Sequence, residues 1–389
     1  MTSIADDVKV IDCDTHLTEA ADLWTSRAPD AYKDRVPRIE QVDGRDHWVV
    51  DGEVIGFAGG GGVINNREEK HPFLSSMLEW GRDTIHPAAF DIDARLKVMD
   101  ECGVHAQLTF PNSIGLGGEN LAGNSDERFR LLCVQIFNDA AAEYFEQTGG
   151  RIVSMPIMPA WSVDACVEEA KRVAAQGARG VNMTSDPSDQ GAPDLANPAW
   201  DPFWEVCEAE HLPVHFHIGA SLTAMNFYSK YFWESQDEFV KPAIGGSMLF
   251  INSARVLLNI NLAGMLDRFP ELQFVAVESG IGYIPFMLET MDYEVWENAP
   301  EQFSKYELKP SEYFARNWHA TFWFERHFDD LQGLVDKVGD TNILWETDFP
   351  HPTCLYPNPL GEMEDKMATL RPESRRRILG ENAAKLYRL

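Results

Sequence analysis

Basic residues are scarce in this chain. Its 389 residues include 33 lysines and arginines against 62 aspartates and glutamates, a formal charge of −29. So acidic a protein argues against nucleic acid or anionic membrane as a partner. A small substrate stays open, because a site can be locally positive on an acidic protein. The six cysteines (Cys13, Cys102, Cys133, Cys166, Cys207 and Cys354) form no CxxC pair and mostly sit in apolar segments. A reduced, cytoplasmic chain is expected. MTSIADDVKV at the start is acidic and has no signal-peptide h-region. The greasiest run, GSMLFINSARVLLNINLAGML, is broken by Asn252, Arg255, Asn259 and Asn261, and predicts a buried or amphipathic helix. Four consecutive glycines, 59–62, lack the strand-turn-helix frame of a P-loop or a dinucleotide turn.

What is present suffices for a large core: 44% of residues are hydrophobic and 11% aromatic. Short β-rich runs at 8–16, 104–111, 151–158, 178–184, 212–218, 272–278, 317–324 and 341–348 alternate with helical patterns such as SVDACVEEAKRVAAQG. Eight strands alternating with helices predict a (β/α)8 TIM-type barrel, a single domain over 1–389. Residues 20–90 break the rhythm. Asp51-Gly52 between two β-like runs predicts a hairpin, and the glycine run follows it. The segment reads as an insertion after strand 1, either a lid over the site or a solvent-exposed or subunit-contact elaboration.

The chemistry gathers at strand ends. In VIDCDTHLTE, alternation predicts that Val8 and Val10 fill the barrel in phase with Asp12, Asp14 and His16. Asp14 and His16 are spaced to reach one ion, and Asp12, one pleat deeper, would orient a ligand. LPVHFHIG sets His215 and His217 on one face, with His217 at the strand mouth. NILWETDFPHP ends its strand at Asp348, where a carboxylate is costly unless paired or bound to a cation. A lone buried histidine is usually a core residue, and a DxH pair alone can merely cap. Four donors at one barrel level, Asp14, His16, His217 and Asp348, together predict a divalent metal: Zn2+ first, with Mn2+ or Fe2+ also suited. His351 can reach substrate or a ligand, and His319 is a weaker candidate of the same kind. Glu19 either sits behind the ligands or simply begins the insertion, and His105 reads as structural. Trp318, Phe322, Trp323, Tyr283 and Trp345 read mainly as barrel-to-helix packing.

With IDCDTH, RLKVMDECGVHAQLTFPN, LPVHFHIG, FPELQFVAVESGIGYIPFMLE, LWETDFPHP and RRRILGENAAKLYRL, the chain resembles the amidohydrolase superfamily. It is most similar to the branch (amidohydrolase family 2) of aminocarboxymuconate semialdehyde decarboxylase and γ-resorcylate decarboxylase. The resemblance implies a barrel with one divalent ion, a homodimer or higher homo-oligomer, and Asp14, His16, His217 and Asp348 as ligands. It also implies a histidine after strand 6, and there the sequence departs: the position falls on Ser279, with Glu278 beside it. Glu278 then reads as an acid or base of the site, or as a structural carboxylate.

Three functions follow. The first is a metal-dependent carboxy-lyase for a cyclic or aromatic carboxylic acid, with Asp348, Glu278 and His351 as catalytic groups. The second is a metal-dependent hydrolase of an amide, lactone or ester, with Asp348 taking the proton of a bound water. No lysine stands at the strand 4 end, GVNMTSD, so one metal rather than two is expected in either case. The third is a non-catalytic barrel that binds a ligand or partner.

Overall fold

A computed structural model describes residues 4–5, 8–71, 80–230 and 232–389. Eight parallel strands build its centre: β1 Ile11–His16, β5 Ala106–Phe110, β6 Ile152–Ser154, β7 Val181–Asn182, β8 Val214–His217, β9 Phe274–Val277, β10 Trp318–Phe322 and β11 Ile343–Trp345. Each falls inside one of the eight apolar runs. They hydrogen-bond in the orders β1-β5-β6 and β7-β8-β9-β10-β11. Isolated parallel bridges join the two sheets at both seams, Ile157 to Asn182 and Thr15 to Phe349. At the second seam the His16 amide donates to Phe349 O (2.7 Å) and the Asp348 amide to Asp14 O (2.9 Å). Strand 1 and strand 8 of the ring are thereby held side by side.

Alternation sorts the side chains into two layers. Ile11, Ala106, Leu108, Val153, Val275 and Leu344 form an inner cluster. Val10, Phe216, Phe274, Phe322 and Trp345 belong to a larger cluster shared with the surrounding helices. Trp318, Trp323 and Tyr283 pack there too, as expected of barrel-to-helix aromatics.

In β1 the simple alternation fails. Ile11 and Asp12 pair with Ala106 and Gln107, Thr15 and His16 with Thr109 and Phe110, so two residues, Cys13 and Asp14, oppose one. Such a bulge shifts the strand's phase by one residue. Ile11 and Cys13 face inward and Val10 faces the helices, the reverse of the alternation read from the sequence. Beyond the bulge the phase is switched, and His16 shares the inner side with Phe110.

Strands β2 Arg38–Val42, β3 Arg45–Val50 and β4 Glu53–Phe57 follow β1 as a separate antiparallel sheet. Asp43-Gly44 and Asp51-Gly52 turn its two hairpins, all four residues at positive φ, as a primed turn requires. Among the helices, Lys241–Leu262 covers most of the greasy run. By length and composition it is able to cross a membrane, yet Leu249, Val256, Leu257 and Ile260 are buried and Arg255 pairs with Asp186 (2.6 Å). An amphipathic packing helix accounts for it. The C-terminal helix Asn382–Tyr387 plugs the lower end of the barrel, where the Tyr387 hydroxyl meets His215 Nε2 at 2.9 Å.

Candidate metal centre

At the C-terminal ends of the strands, Asp14, His16, His217 and Asp348 converge, each at most 2% exposed. His16 Nε2 and His217 Nε2 stand 3.3 Å apart. Asp14 Oδ1 lies 3.4 Å from His217 Nε2 and 3.7 Å from His16 Nε2, and Asp348 Oδ1 lies 3.5 Å from His16 Nε2. Glu278 and His351 join them: Glu278 Oε2 is 3.6 Å from His217 Nε2, and His351 Nδ1 is 3.3 Å from Asp348 Oδ1. The donor atoms fall into two overlapping groups, Asp14-His16-His217-Glu278 and His16-Glu278-Asp348-His351. Asp14 and Asp348 therefore do not share one group, and Glu278 belongs to both.

Local backbone sets these aims. The bulge carries Asp14 and His16 inward. Val277 ends β9 on the inner side, so alternation would send Glu278 out; a φ of +54° returns its side chain to the cluster. Asp348 also sits at positive φ, +59°. Left-handed backbone in a non-glycine residue costs about 1 kcal/mol or more and gathers at functional sites. Ser279 turns away, its hydroxyl bonded to the carbonyls of Ala276 and Gly280.

The tautomer of His217 is set from behind. Its Nδ1 meets Ile218 O at 2.8 Å and so carries the proton, leaving the Nε2 lone pair toward the cluster. Thr353 Oγ1 donates to Asp348 Oδ2 (2.7 Å). Both oxygens of Asp14 and Oδ1 of Asp348 are buried with no hydrogen-bond partner among the described residues, as are both oxygens of Glu346 beneath them. Converging buried carboxylates of this kind cost several kcal/mol unless a cation shares them. Burial and the charges of Asp348 and Asp14 hold the Glu278 carboxyl well above the usual range. Burial disfavours the Asp348 carboxylate, but His351 and His16 outweigh it and push its pKa down. Burial and neighbouring His351 lower His16 to about 4.

Asp12 leaves the cluster. Thr347 donates to it through its amide (2.8 Å) and hydroxyl (2.6 Å), and Gln107 through Nε2 (3.0 Å). It clasps the β1–β11 seam one residue before Asp348. His319, expected near the mouth, stands instead at the opposite end, because β10 begins at Trp318. The Glu19 carboxylate caps the chain after β5, accepting from the Ser113 amide (3.0 Å) and hydroxyl (2.6 Å).

Some contributors were not legible as site residues. The Asn112 amide nitrogen donates to Thr18 Oγ1 (2.9 Å), which aims its oxygen at His351 Nε2 (2.9 Å). Buried Arg95 donates to Ala88 O (2.6 Å) and to His16 O, fixing the backbone at a central residue. Asn112 stands two residues past the end of β5, a position that could have flagged it. Gly60 and Gly61, at φ +53° and +77°, come down on the same spot: a Cβ at Gly61 would meet His351 Nε2 at 3.1 Å, and one at Gly60 would meet Thr18 Oγ1 at 2.7 Å.

The pattern of the amidohydrolase family matches residues 11–389. No curated protein matches the sequence. Among solved structures, an amidohydrolase from Mycobacterium avium subsp. paratuberculosis is 20% identical, with 98% of this chain and 99% of that one covered at a TM-score of 0.73. The 5-carboxyvanillate decarboxylase of Sphingomonas paucimobilis is also 20% identical, over 98% and 100% of the chains, TM-score 0.65. A dihydroxybenzoic acid decarboxylase from a Polaromonas species, holding manganese and the inhibitor 2-nitroresorcinol, is 17% identical over 98% and 97%, TM-score 0.63.

Proposed function

The chain belongs to the amidohydrolase family, and from that premise we propose that it is a metal-dependent carboxy-lyase acting on an aromatic or other cyclic carboxylic acid. The structural likeness to decarboxylases of aromatic acids supports this reading, and the observation that carries it is the placement of Glu278 in the cluster. The donor set fits a divalent ion: His16, common to both groups, with Asp14 and His217 from one and Asp348 from the other, would hold it, and Glu278 and His351 stand beside them. The unpartnered oxygens of Asp14 and Asp348 are the groups such an ion would satisfy. Imidazoles mixed with carboxylates suit Zn2+ and Mn2+ alike. Once bound, the ion supplies a Lewis acid for a substrate oxygen and for the charge that grows as CO2 leaves.

The chain's own groups divide the remaining work. The Glu278 side chain is 14% exposed and that of His351 16%, while those of Asp14, His16, His217 and Asp348 are wholly buried. The two accessible members face incoming substrate. The bond between the ring carbon and the carboxylate breaks, its electron pair stays on the carbon, and the carbon takes the proton of Glu278. Burial, and in the metal-free site the charges of Asp348 and Asp14, favour the protonated form of Glu278, the form a general acid requires. His351, held by Asn112 and stacked on His16, orients the acid's oxygens.

A homodimer accompanies this reading. Phe286, Tyr293 and Trp296 stand 71%, 60% and 62% exposed along one face of the helix Ile284–Asn298, an apolar stripe a second copy would cover. Sedimentation of the purified protein tests that part. For the chemistry, metal-loaded protein is assayed for CO2 against a panel of hydroxybenzoates. Release from at least one is expected. No release from any, with hydrolysis of a lactone or ester instead, rejects the carboxy-lyase reading.

A further inference from the structure

At the end of the barrel opposite the metal cluster, the residues leading into β8, β9 and β11, the start of β10 and the C-terminal helix line a half-open cavity of about 710 Å³. That volume is typical of a small-molecule site. The proposed chemistry does not use it. His217, Glu278 and Asp348 stand at the far ends of the same strands, four to six residues on, roughly 13–20 Å away at about 3.3 Å per residue.

The lining reverses the sign of the protein. Arg316, Arg377, Lys385 and Arg388 face the cavity with only Glu271 and Glu381 as acids. Arg377 is spoken for, bonded to Asp340 at 2.8 Å, and Glu381 is paired with Arg376 at 3.3 Å. The other three cations have no carboxylate partner among the described residues. Arg316 donates to Asn317 Oδ1 (2.9 Å) and Leu266 O (2.6 Å), and Arg388 to the carbonyls of His211 and Ala178. Lys385 makes no hydrogen bond or ion pair among the described residues. Glu271 is the one acid left facing these three cations, so the cavity keeps a net positive lining in a chain with 62 acids for 33 bases. His319 projects there from β10, its Nδ1 buried without a partner among the described residues. Leu212, Pro213 and Leu272 supply apolar wall between the charges.

We propose that this cavity binds a small organic anion bearing at least two carboxylate or phosphate groups, held by Arg316, Lys385 and Arg388 with His319 as a neutral hydrogen-bonding group. Burial lowers His319 to about 4, so the ring is uncharged near neutral pH. The site is independent of the carboxy-lyase reading and stands or falls separately.

Titration calorimetry of the full-length, metal-loaded protein with citrate and with fructose 1,6-bisphosphate tests it. One probe or both should bind once per chain with a Kd below about 1 mM at low salt, weakening as salt screens the charges. The preferred probe identifies carboxylate or phosphate as the recognised group. Arg316→Gln/Arg388→Gln should weaken binding at least about tenfold, the effect of losing two charge contacts in a partly desolvated site. These arginines also brace carbonyls, so Lys385→Gln serves as the variant that disturbs no contact, with about threefold weaker binding expected for one exposed charge. Binding of neither probe below about 10 mM, equal binding in both variants, or loss of binding when the metal is stripped would overturn the proposal.

Discussion

The imidazole rings of His16 and His351 are stacked, their centroids 3.6 Å apart and their planes within 16°. Stacking fixes the plane of His351, and the Asn112 oxygen fixes its rotation by accepting from Nε2. Nδ1 is thereby directed at Asp348. Replacing Asn112 by leucine removes the acceptor but none of the six donor groups. We expect metal content to be unchanged and kcat to fall about 10- to 100-fold, the usual effect of losing a residue that orients a site histidine. Elemental analysis and steady-state kinetics check both halves; an unchanged kcat would mean that His351 needs no such support.

The bulge in β1 separates two aspartates that look equivalent in the sequence. Asp14 faces the cluster with both oxygens unpartnered, whereas Asp12 faces Thr347 and Gln107. Asp14→Ala and His217→Ala should therefore purify with little metal, and Asp12→Asn should keep it. An ion present at a thousandfold above its Kd adds about 4 kcal/mol of stability. A chelator should accordingly lower the Tm of the parent and of Asp12→Asn, and leave Asp14→Ala unmoved. Metal lost equally from both aspartate variants would contradict the assignment.

The glycine loop gives a sharper test than its composition suggested. At Gly61 a methyl group would press on His351 Nε2, at a φ that side chains rarely adopt. At Gly62 the nearest atom to an added Cβ is 3.4 Å away, an ordinary contact, and no positive φ is required. Gly61→Ala should lose about 1–2 kcal/mol of stability through the left-handed backbone alone, and kcat/KM should drop further because His351 is displaced. Gly62→Ala should resemble the parent in both. Denaturant melts with kinetics on the two variants decide it.

The ring of eight strands was legible because apolar runs and helical patterns are local signals. Strand ends were legible too, and with them the meeting of Asp14, His16, His217 and Asp348 at one end of the ring. Phase was not. A bulge that adds one residue reverses every inward and outward assignment before it, so Val10 and Asp12 were placed on the wrong side. Position along a strand was equally hidden at His319, which sits at the start of β10 rather than its mouth. The supports of the site act across the chain: Asn112 and His351 lie 239 residues apart. That Glu278 rather than Ser279 enters the cluster depends on a single backbone angle, which composition does not encode.

The segment carrying Glu278 is held by another buried carboxylate, and pH should expose this. Glu325 accepts the amides of Ile281 (2.5 Å) and Gly282 (3.2 Å) through Oε1, while Oε2 is buried without a partner among the described residues. Burial, only partly offset by those amides, raises its pKa from 4.5 to about 7. Between those values the folded chain holds a proton at Glu325 that the unfolded chain has released. Folding stability must then fall as pH rises through that window, the reverse of a salt-bridged carboxylate. The fall amounts to at most on the order of 3 kcal/mol for a shift of this size. Glu325→Gln keeps an acceptor for the two amides and cannot ionise. Its stability relative to the parent should therefore grow between pH 5 and pH 8, and its activity should survive if Glu325 only braces the turn. Urea melts of the two proteins at both pH values measure the difference directly; curves that stay parallel would show that Glu325 is already ionised in the fold.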